Sequence, residues 1–380
     1  MEKKKIESVK QLPIMPLTIE DMTWNKTGTW RLLTPKGGAK TAPCRAACPI
    51  GQPIPEFIHA VSVRNWDRAL ELLLEVNPLP GVTGRLCYHP CRGRCLRKEL
   101  EGSVPTRELE KAVADLGKSP EAANEAKGGK KLAVCGAGPA GLTASYHLAL
   151  RGCQVTVFDP SDRAGGFLKA VKADKLPPEV LAREISRLVA ISGVQLQMKA
   201  VGLNSEEYDL TIIDRTAYQP GSEEARAVEA LVSGEGQRLD IQTEKGAPGF
   251  KAVQVAHAVA LGRRIAFEAC TRLGLSSDQI KENPEQVVSK EDLKFHRFLA
   301  DVPATPAVDA ADEQAVLEAK RCMSCGTCNL CQSCVLACPD ACCRLDEGQG
   351  TIVFDLDHCK GCGICAYECP RGVLVMENLP

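Results

Sequence analysis

Cys328-x2-Cys331-x2-Cys334-x3-Cys338-Pro339 recurs 31 positions further on as Cys359-x2-Cys362-x2-Cys365-x3-Cys369-Pro370. This is an internal repeat of one metal-binding unit. Three thiolates on a short irregular loop can wrap three irons of a cubane, whereas the fourth, opening a turn at proline, points away and ligates the cluster of the other half. The spacing predicts one [4Fe–4S] cluster on Cys328, Cys331, Cys334 and Cys369 and a second on Cys359, Cys362, Cys365 and Cys338. Zinc also accepts paired Cys-x2-Cys, but two intact triads, each closed by Cys-Pro, favour iron.

This repeat resembles a bacterial dicluster ferredoxin. Cys342 and Cys343 fall where the second half has Val373 and Leu374, so they read as small buried hydrophobes at the start of a strand. Cys322 and Cys325 lie upstream in Arg-Cys-Met-Ser-Cys-Gly and have no counterpart in the second half. Three readings stay open for them: a further metal, exchange into the first cluster, or packed thiols.

The chain has 380 residues, enough for two or three domains with their own cores, and a net charge of −1. That balance implies neither nucleic acid nor an anionic membrane as partner. No signal-peptide-like run follows the first residues, and no run of about twenty apolar residues would span a bilayer. The chain has twenty cysteines, and cysteines at metal spacing without targeting point to a reducing cytoplasm, and to a low-oxygen setting.

Residues 1–40 read as a polar arm. Then come Cys44-Arg-Ala-Ala-Cys48-Pro49, Ile54-Pro55, a helical stretch from Asp67 to Val76, Asn77-Pro78-Leu79-Pro80 and Gly84-Arg85-Leu86-Cys87, followed by Cys91 and Cys95. Residues 40–115 resemble the N-terminal iron–sulfur domain of the glutamate synthase small subunit and of dihydropyrimidine dehydrogenase. Full members hold two cubanes, and this chain departs from them: Lys36 and Ala39 stand where two cysteines are expected. The resemblance implies one cluster on Cys48, Cys87 and Cys91, with an oxygen ligand from Glu110. Cys44 and Cys95 remain as half of a lost site or as replacement ligands.

Residues 117–131 are a small, charged, breaker-rich linker. Beyond it, Leu132–Cys135 reads as a strand, Gly136-Ala-Gly138-Pro139-Ala140-Gly141 as a turn, Leu142–Leu150 as a helix, and Gln154–Phe158 as a second strand ending at Asp159. In one βαβ unit, Gly136 permits the turn, Gly138 admits a pyrophosphate, Gly141 allows close packing and Asp159 meets ribose hydroxyls. Asp159 to Gly166, with Arg163, resembles flavoprotein reductases of the glutamate synthase type, which implies FAD. No second glycine motif appears between Gly166 and the helix at Ala252–Arg272, a stretch too short for an NADPH-binding insert. Two other signatures of the family have decayed, at Asp214-Arg215-Thr216 and near Gly246-Ala247.

The expected fold is α/β and multidomain. A helical N-terminal iron–sulfur domain with its arm covers 1–118, a truncated Rossmann-type FAD domain 130–275, a linker 276–312, and an α+β dicluster ferredoxin domain 313–380. No catalytic triad or paired carboxylates appear, and His257 reads as packed. The expected function is a non-catalytic electron-transfer subunit with FAD and [4Fe–4S] clusters. Its partners would be ferredoxin or another redox subunit and a large catalytic oxidoreductase subunit, by resemblance a tungsten or molybdenum enzyme. The alternatives are a stand-alone NAD(P)H:ferredoxin oxidoreductase and a scaffold with an empty flavin domain.

Overall fold

The computed structural model describes residues 26–38, 40–120, 129–242, 254–275, 286–298 and 312–378. Ala39 and the Gly246-Ala247 pair lie outside them. The chain forms two compact units. One is Gly38–Asn329 with Pro370–Val373; the other joins the segment ending at Gly37 to Leu330–Cys369 and the chain from Leu374 onward.

The larger unit opens with six helices: α1 (Pro43–Ala47), α2 (Ile54–Ser62), α3 (Trp66–Leu74), α4 (Pro80–Leu86), α5 (Pro90–Arg94) and α6 (Thr106–Leu116). Proline stands in the first turn of α1, α2, α4 and α5, where its missing N–H costs nothing. Asn65 caps α3 by accepting from the Arg68 N–H at 3.0 Å. Phe57, Leu70, Leu73 and Leu109 are fully buried between these helices. Gly84 lets α4 cross α6 closely: a Cβ there would stand 2.6 Å from the Lys111 nitrogen.

Five parallel strands follow, in the spatial order Gln195–Met198, Gln154–Asp159, Lys131–Cys135, Leu210–Asp214, Arg238–Ile241. The chain order therefore reverses between Lys131–Cys135 and Leu210–Asp214, the switch point at which doubly wound sheets bind ligands. Helix α7 (Pro139–Ala149) leaves the first strand, and α8 (Pro178–Ser192) packs on α7 and α4. α9 (Glu223–Ala230) precedes the last strand, and α10 (Gln254–Arg272) packs on α7, with Gly262 against the Ala140 carbonyl. Cys135, Cys153 and Cys270 are buried. His257 on α10 stacks on Tyr88, ring centroids 6.0 Å apart.

The expected boundary at 117–131 does not separate two bodies. One apolar core runs from Phe57 and Leu73 through Leu142 to Leu188. Glu184 of α8 accepts from the Gly81 N–H at 2.5 Å in the first turn of α4 and pairs with Arg187 at 2.8 Å, while Arg187 donates to the Ala114 carbonyl at 2.9 Å. Nor does the ferredoxin-like portion begin at 313. α11 (Asp312–Lys320) buries Ala315, Val316 and Ala319 and packs on α2 and α6.

In the smaller unit, α12 (Ser333–Ala337) packs on α13 (Ile364–Glu368), and Cys343–Asp346 pairs antiparallel with Thr351–Phe354. The end of the arm belongs here and not to the helical domain: Leu33–Gly37 pairs antiparallel with Leu374–Asn378. Pro35, which has no N–H to donate, is tolerated because this two-stranded sheet consists of edges. Upstream, Gly28 donates its N–H to the Asp357 carbonyl at 2.8 Å, and Lys26 pairs with Asp357. Among the described residues no helix is long and apolar enough to cross a membrane.

Removing one member of a buried ion pair strands the other. Glu184→Ala is expected to cost about 3–5 kcal/mol, read as a fall in chemical-denaturation stability, whereas Glu184→Leu with Arg187→Met should recover most of it. Equal losses in the single and double variants would refute the pairing.

Candidate metal centres and the glycine turn

In the smaller unit, Cys359, Cys362 and Cys365 line a pocket together with Cys338, Pro339, Cys342, Cys343 and Met376. The fourth thiol of the first half thus meets the triad of the second. Burial pushes the Cys365 thiol up to about 11, and the charges of Cys359, Cys338 and Cys362 add to the shift. Cys338 accepts from the Cys342 N–H at 3.3 Å. Cys342 and Cys343 are buried, and Cys343 opens its strand. A hydrogen bond from Cys343 draws the Cys334 thiol down to about 7, a role that sequence reading missed because Cys343 looked like an inert hydrophobe.

In the larger unit a second group forms at the ends of α1 and α4 and on α5 and α6. Cys48 caps the end of α1, Cys87 follows α4, and Cys91 lies in α5. Cys48 and Cys87 pack beside Ile50, Val76 and Val259. Burial pushes Cys87 and Cys91 up to about 12, and each feels the charges of Cys48 and Glu110. The His89 N–H donates to Cys87 Sγ at 3.4 Å from a left-handed backbone (φ 47). Glu110, 4% exposed, is pushed by burial to about 7. Its Oε1 accepts from Gln52 at 2.7 Å, from Asn77 at 3.1 Å and from Thr83. Asn77 of the Asn-Pro-Leu-Pro run and Thr83 orient this carboxylate, as second-sphere residues of metal sites do; the conspicuous Asn77 motif was the only sequence signal for them.

Among the described residues no three His, Cys, Asp or Glu side chains are drawn tightly enough around one point to hold a single ion. Thiols that ligate four different irons of a cubane stand farther apart than ligands of one zinc. Both groups offer the thiol-rich donor set that a [4Fe–4S] cluster takes, and such a cluster would supply one-electron transfer.

The glycine turn does not fit a dinucleotide. Gly136 (φ 104) turns the chain and Pro139 and Ala140 open α7, as expected. The anion-binding end of α7, however, is taken by the protein: the Gly141 N–H donates to Asp214 Oδ2 at 2.8 Å. Asp214 is 1% exposed, and burial lifts its carboxyl to about 6. A pyrophosphate would have to share that helix end with a buried carboxylate of like charge. Gly138 and Gly166 are close not to open space but to Ala217: a Cβ on Gly138 would stand 2.6 Å from its Cα, and one on Gly166 would meet its carbonyl oxygen. The Phe167 N–H donates to that oxygen at 2.8 Å. Asp159, fully buried, is also engaged. It accepts from the Ala137 N–H at 2.7 Å, from Ser161 at 2.6 Å and from the Tyr218 hydroxyl at 2.7 Å, which leaves its carboxylate turned inward and not toward a ribose. Arg163 is exposed, beside Asp162. The loop Asp214–Tyr218, in which the sequence showed only a decayed signature, fills the crevice at the switch point.

Three family descriptions match parts of the chain. Residues 38–122 match dihydropyrimidine dehydrogenase domain II with its 4Fe-4S cluster, 134–184 an NAD(P)-binding Rossmann-like domain, and 352–375 a 4Fe-4S binding domain. The beta subunit of NADP(+)-dependent formate dehydrogenase from Moorella thermoacetica is 34% identical over 46% of this chain and 29% of its own. The beta subunit of NADPH-Fe(3+) oxidoreductase from Geobacter sulfurreducens is 27% identical over 73% of this chain and 42% of its own. The glutamate synthase [NADPH] small chain of Bacillus subtilis is 37% identical over 38% of this chain and 30% of its own. The chain thus spans less than half the length of each of these relatives. It is homologous to the glutamate synthase small chain and to beta subunits of oxidoreductases, with a 4Fe-4S domain on either side of a Rossmann-like domain.

Proposed function

We propose that this chain is an electron-transfer subunit of an oxidoreductase complex, carrying single electrons on [4Fe–4S] clusters between a ferredoxin-like or other redox subunit and a catalytic subunit. The observation that carries this reading is the pocket in which Cys338 joins Cys359, Cys362 and Cys365, because crossed ligation sets paired clusters side by side for electron exchange. The partner cluster would take Cys328, Cys331, Cys334 and Cys369, on the strength of the repeat. In the N-terminal half, Cys48, Cys87, Cys91 and Glu110 would hold a third. The names of the relatives, subunits of formate dehydrogenase and of an NADPH-Fe(3+) oxidoreductase, support a place in a larger assembly.

No electron step is assigned to flavin. The carboxylate at the start of α7 and the inward hydrogen bonds of Asp159 favour a central domain that serves as a frame. This departs from the FAD implied by resemblance, and the cause is local: Asp214 and Tyr218 occupy what phosphate and ribose would need.

Anaerobically purified protein should contain at least about twelve irons per chain with matching sulfide, as three cubanes require, and should show no flavin absorbance. Fewer than about eight irons would sink the relay, and stoichiometric FAD would overturn the frame. Crossed ligation has its own test. Cys338→Ser combined with Cys365→Ser should cost one cluster, about four irons, whereas Cys338→Ser with Cys331→Ser should cost two; the reverse pattern in iron analysis would show uncrossed sites.

A further inference from the structure

Besides the buried Cys135, Cys153 and Cys270, four thiols of the larger unit remain outside these sites. Cys44 lies in α1 and Cys95 ends α5, two helices packed on each other. Cys322 and Cys325 follow α11. At the end of that helix Arg321, 2% exposed, donates to Glu101 at 3.0 Å and to the Gly102 carbonyl at 2.6 Å, and Arg97 reaches the same Glu101 at 2.5 Å. This fastens Cys322 beside the chain that has just left Cys95. Four residues later Gly326 abuts the segment leading to Cys44: a Cβ there would stand 2.8 Å from the Lys40 carbonyl oxygen. Cys325 and Leu96 pack into the same small cluster around Val288, Leu293 and Met323. Cys322 and Cys325 are therefore pinned between the two stretches that carry Cys44 and Cys95.

The sulfurs sense one another. Cys44 feels the charges of Cys322, Cys325 and Cys95, and Cys95 acts in turn on Cys322 and Cys325.

The backbone of Cys322–Gly326 also has the form of a cluster loop. Ser324 (φ 50) and Gly326 (φ 69) lie two and four residues after the first cysteine. Leu330 (φ 57) and Gln332 (φ 58) do the same after Cys328, and Gly361 (φ 72) and Gly363 (φ 78) after Cys359. Non-glycine residues seldom adopt positive φ, so its recurrence at Ser324, Leu330 and Gln332 marks a common loop shape. The Ser324 N–H donates to Cys322 Sγ at 3.4 Å, as that of His89 does to Cys87.

We propose that Cys44, Cys95, Cys322 and Cys325 hold a further [4Fe–4S] cluster, in which Cys322 and Cys325 replace the two cysteines absent at Lys36 and Ala39. Lys36 is committed elsewhere, in the strand opposite Val375. A pair from far downstream thus completes a half-site left in the helical domain. The inference rests on the reading of this chain as a cluster carrier.

Iron and sulfide analysis of the full chain, reconstituted anaerobically, tests it. Wild type should hold about sixteen irons, as four cubanes require. Cys322→Ser with Cys325→Ser should lose about four, Cys44→Ser the same four, and all three together no more than four. The irons that remain report that a variant has folded; if one does not fold, the wild-type iron count and the spin count of the dithionite-reduced protein decide between four clusters and three. Losses that add to about eight would put the pairs in different clusters. Those additive losses, unchanged iron in the variants, or zinc in place of iron would overturn this cluster. A wild-type count below about eight irons would instead remove the parent reading.

Discussion

Desolvated sulfur is the constraint on which the rest of the structure depends. A thiolate away from water is unfavourable, and burial pushes the thiols of Cys87 and Cys91 up to about 12. A metal bound at such thiols would displace their protons, so its assembly would be coupled to proton release. The scaffold prepares for the exchange by aiming N–H groups at sulfur, as at Cys87, Cys322 and Cys338. Short helices that end on a cysteine, such as α1 at Cys48 and α5 at Cys95, present the thiol at a point where the backbone turns.

Holding such ligands still needs a rigid frame, and in the larger unit the Rossmann-like sheet supplies it. α8 reaches into α4 through Glu184, and α10 lies so close on α7 that only glycine fits at 262. These contacts join helices and sheet into one core. α10 also contributes Ala256 and Val259 to the wall beside Cys48 and Cys87. The central domain therefore bears directly on the N-terminal metal group, whatever it binds.

In the central domain, one carboxylate decides the chemistry of the crevice. The strand, glycine turn and helix keep the geometry of a dinucleotide site, but Asp214 accepts from the Gly141 N–H that would otherwise meet phosphate. Thr216 holds Asp214 through its N–H at 2.9 Å, and Tyr218 holds Asp159. A binding site becomes an internal network when its anion is supplied by the protein itself; such networks are rigid once every member is paired.

Legible in the amino-acid order were the repeat near the carboxyl end and the strand, glycine turn, helix and strand from Leu132 to Phe158, both carried by local spacing, while Cys48, Cys87, Cys91 and Glu110 were candidates through resemblance to a known family; α9 and the strand Arg238–Ile241 carried no such signal. Only the tertiary structure decided that Leu33–Gly37 pairs with Leu374–Asn378, that Asp214 and Tyr218 close the crevice, and that Cys322 and Cys325 stand beside Cys44 and Cys95. Those relations join residues far apart in the chain through packing and charge, and no periodicity records which distant segments the fold will bring to the same place.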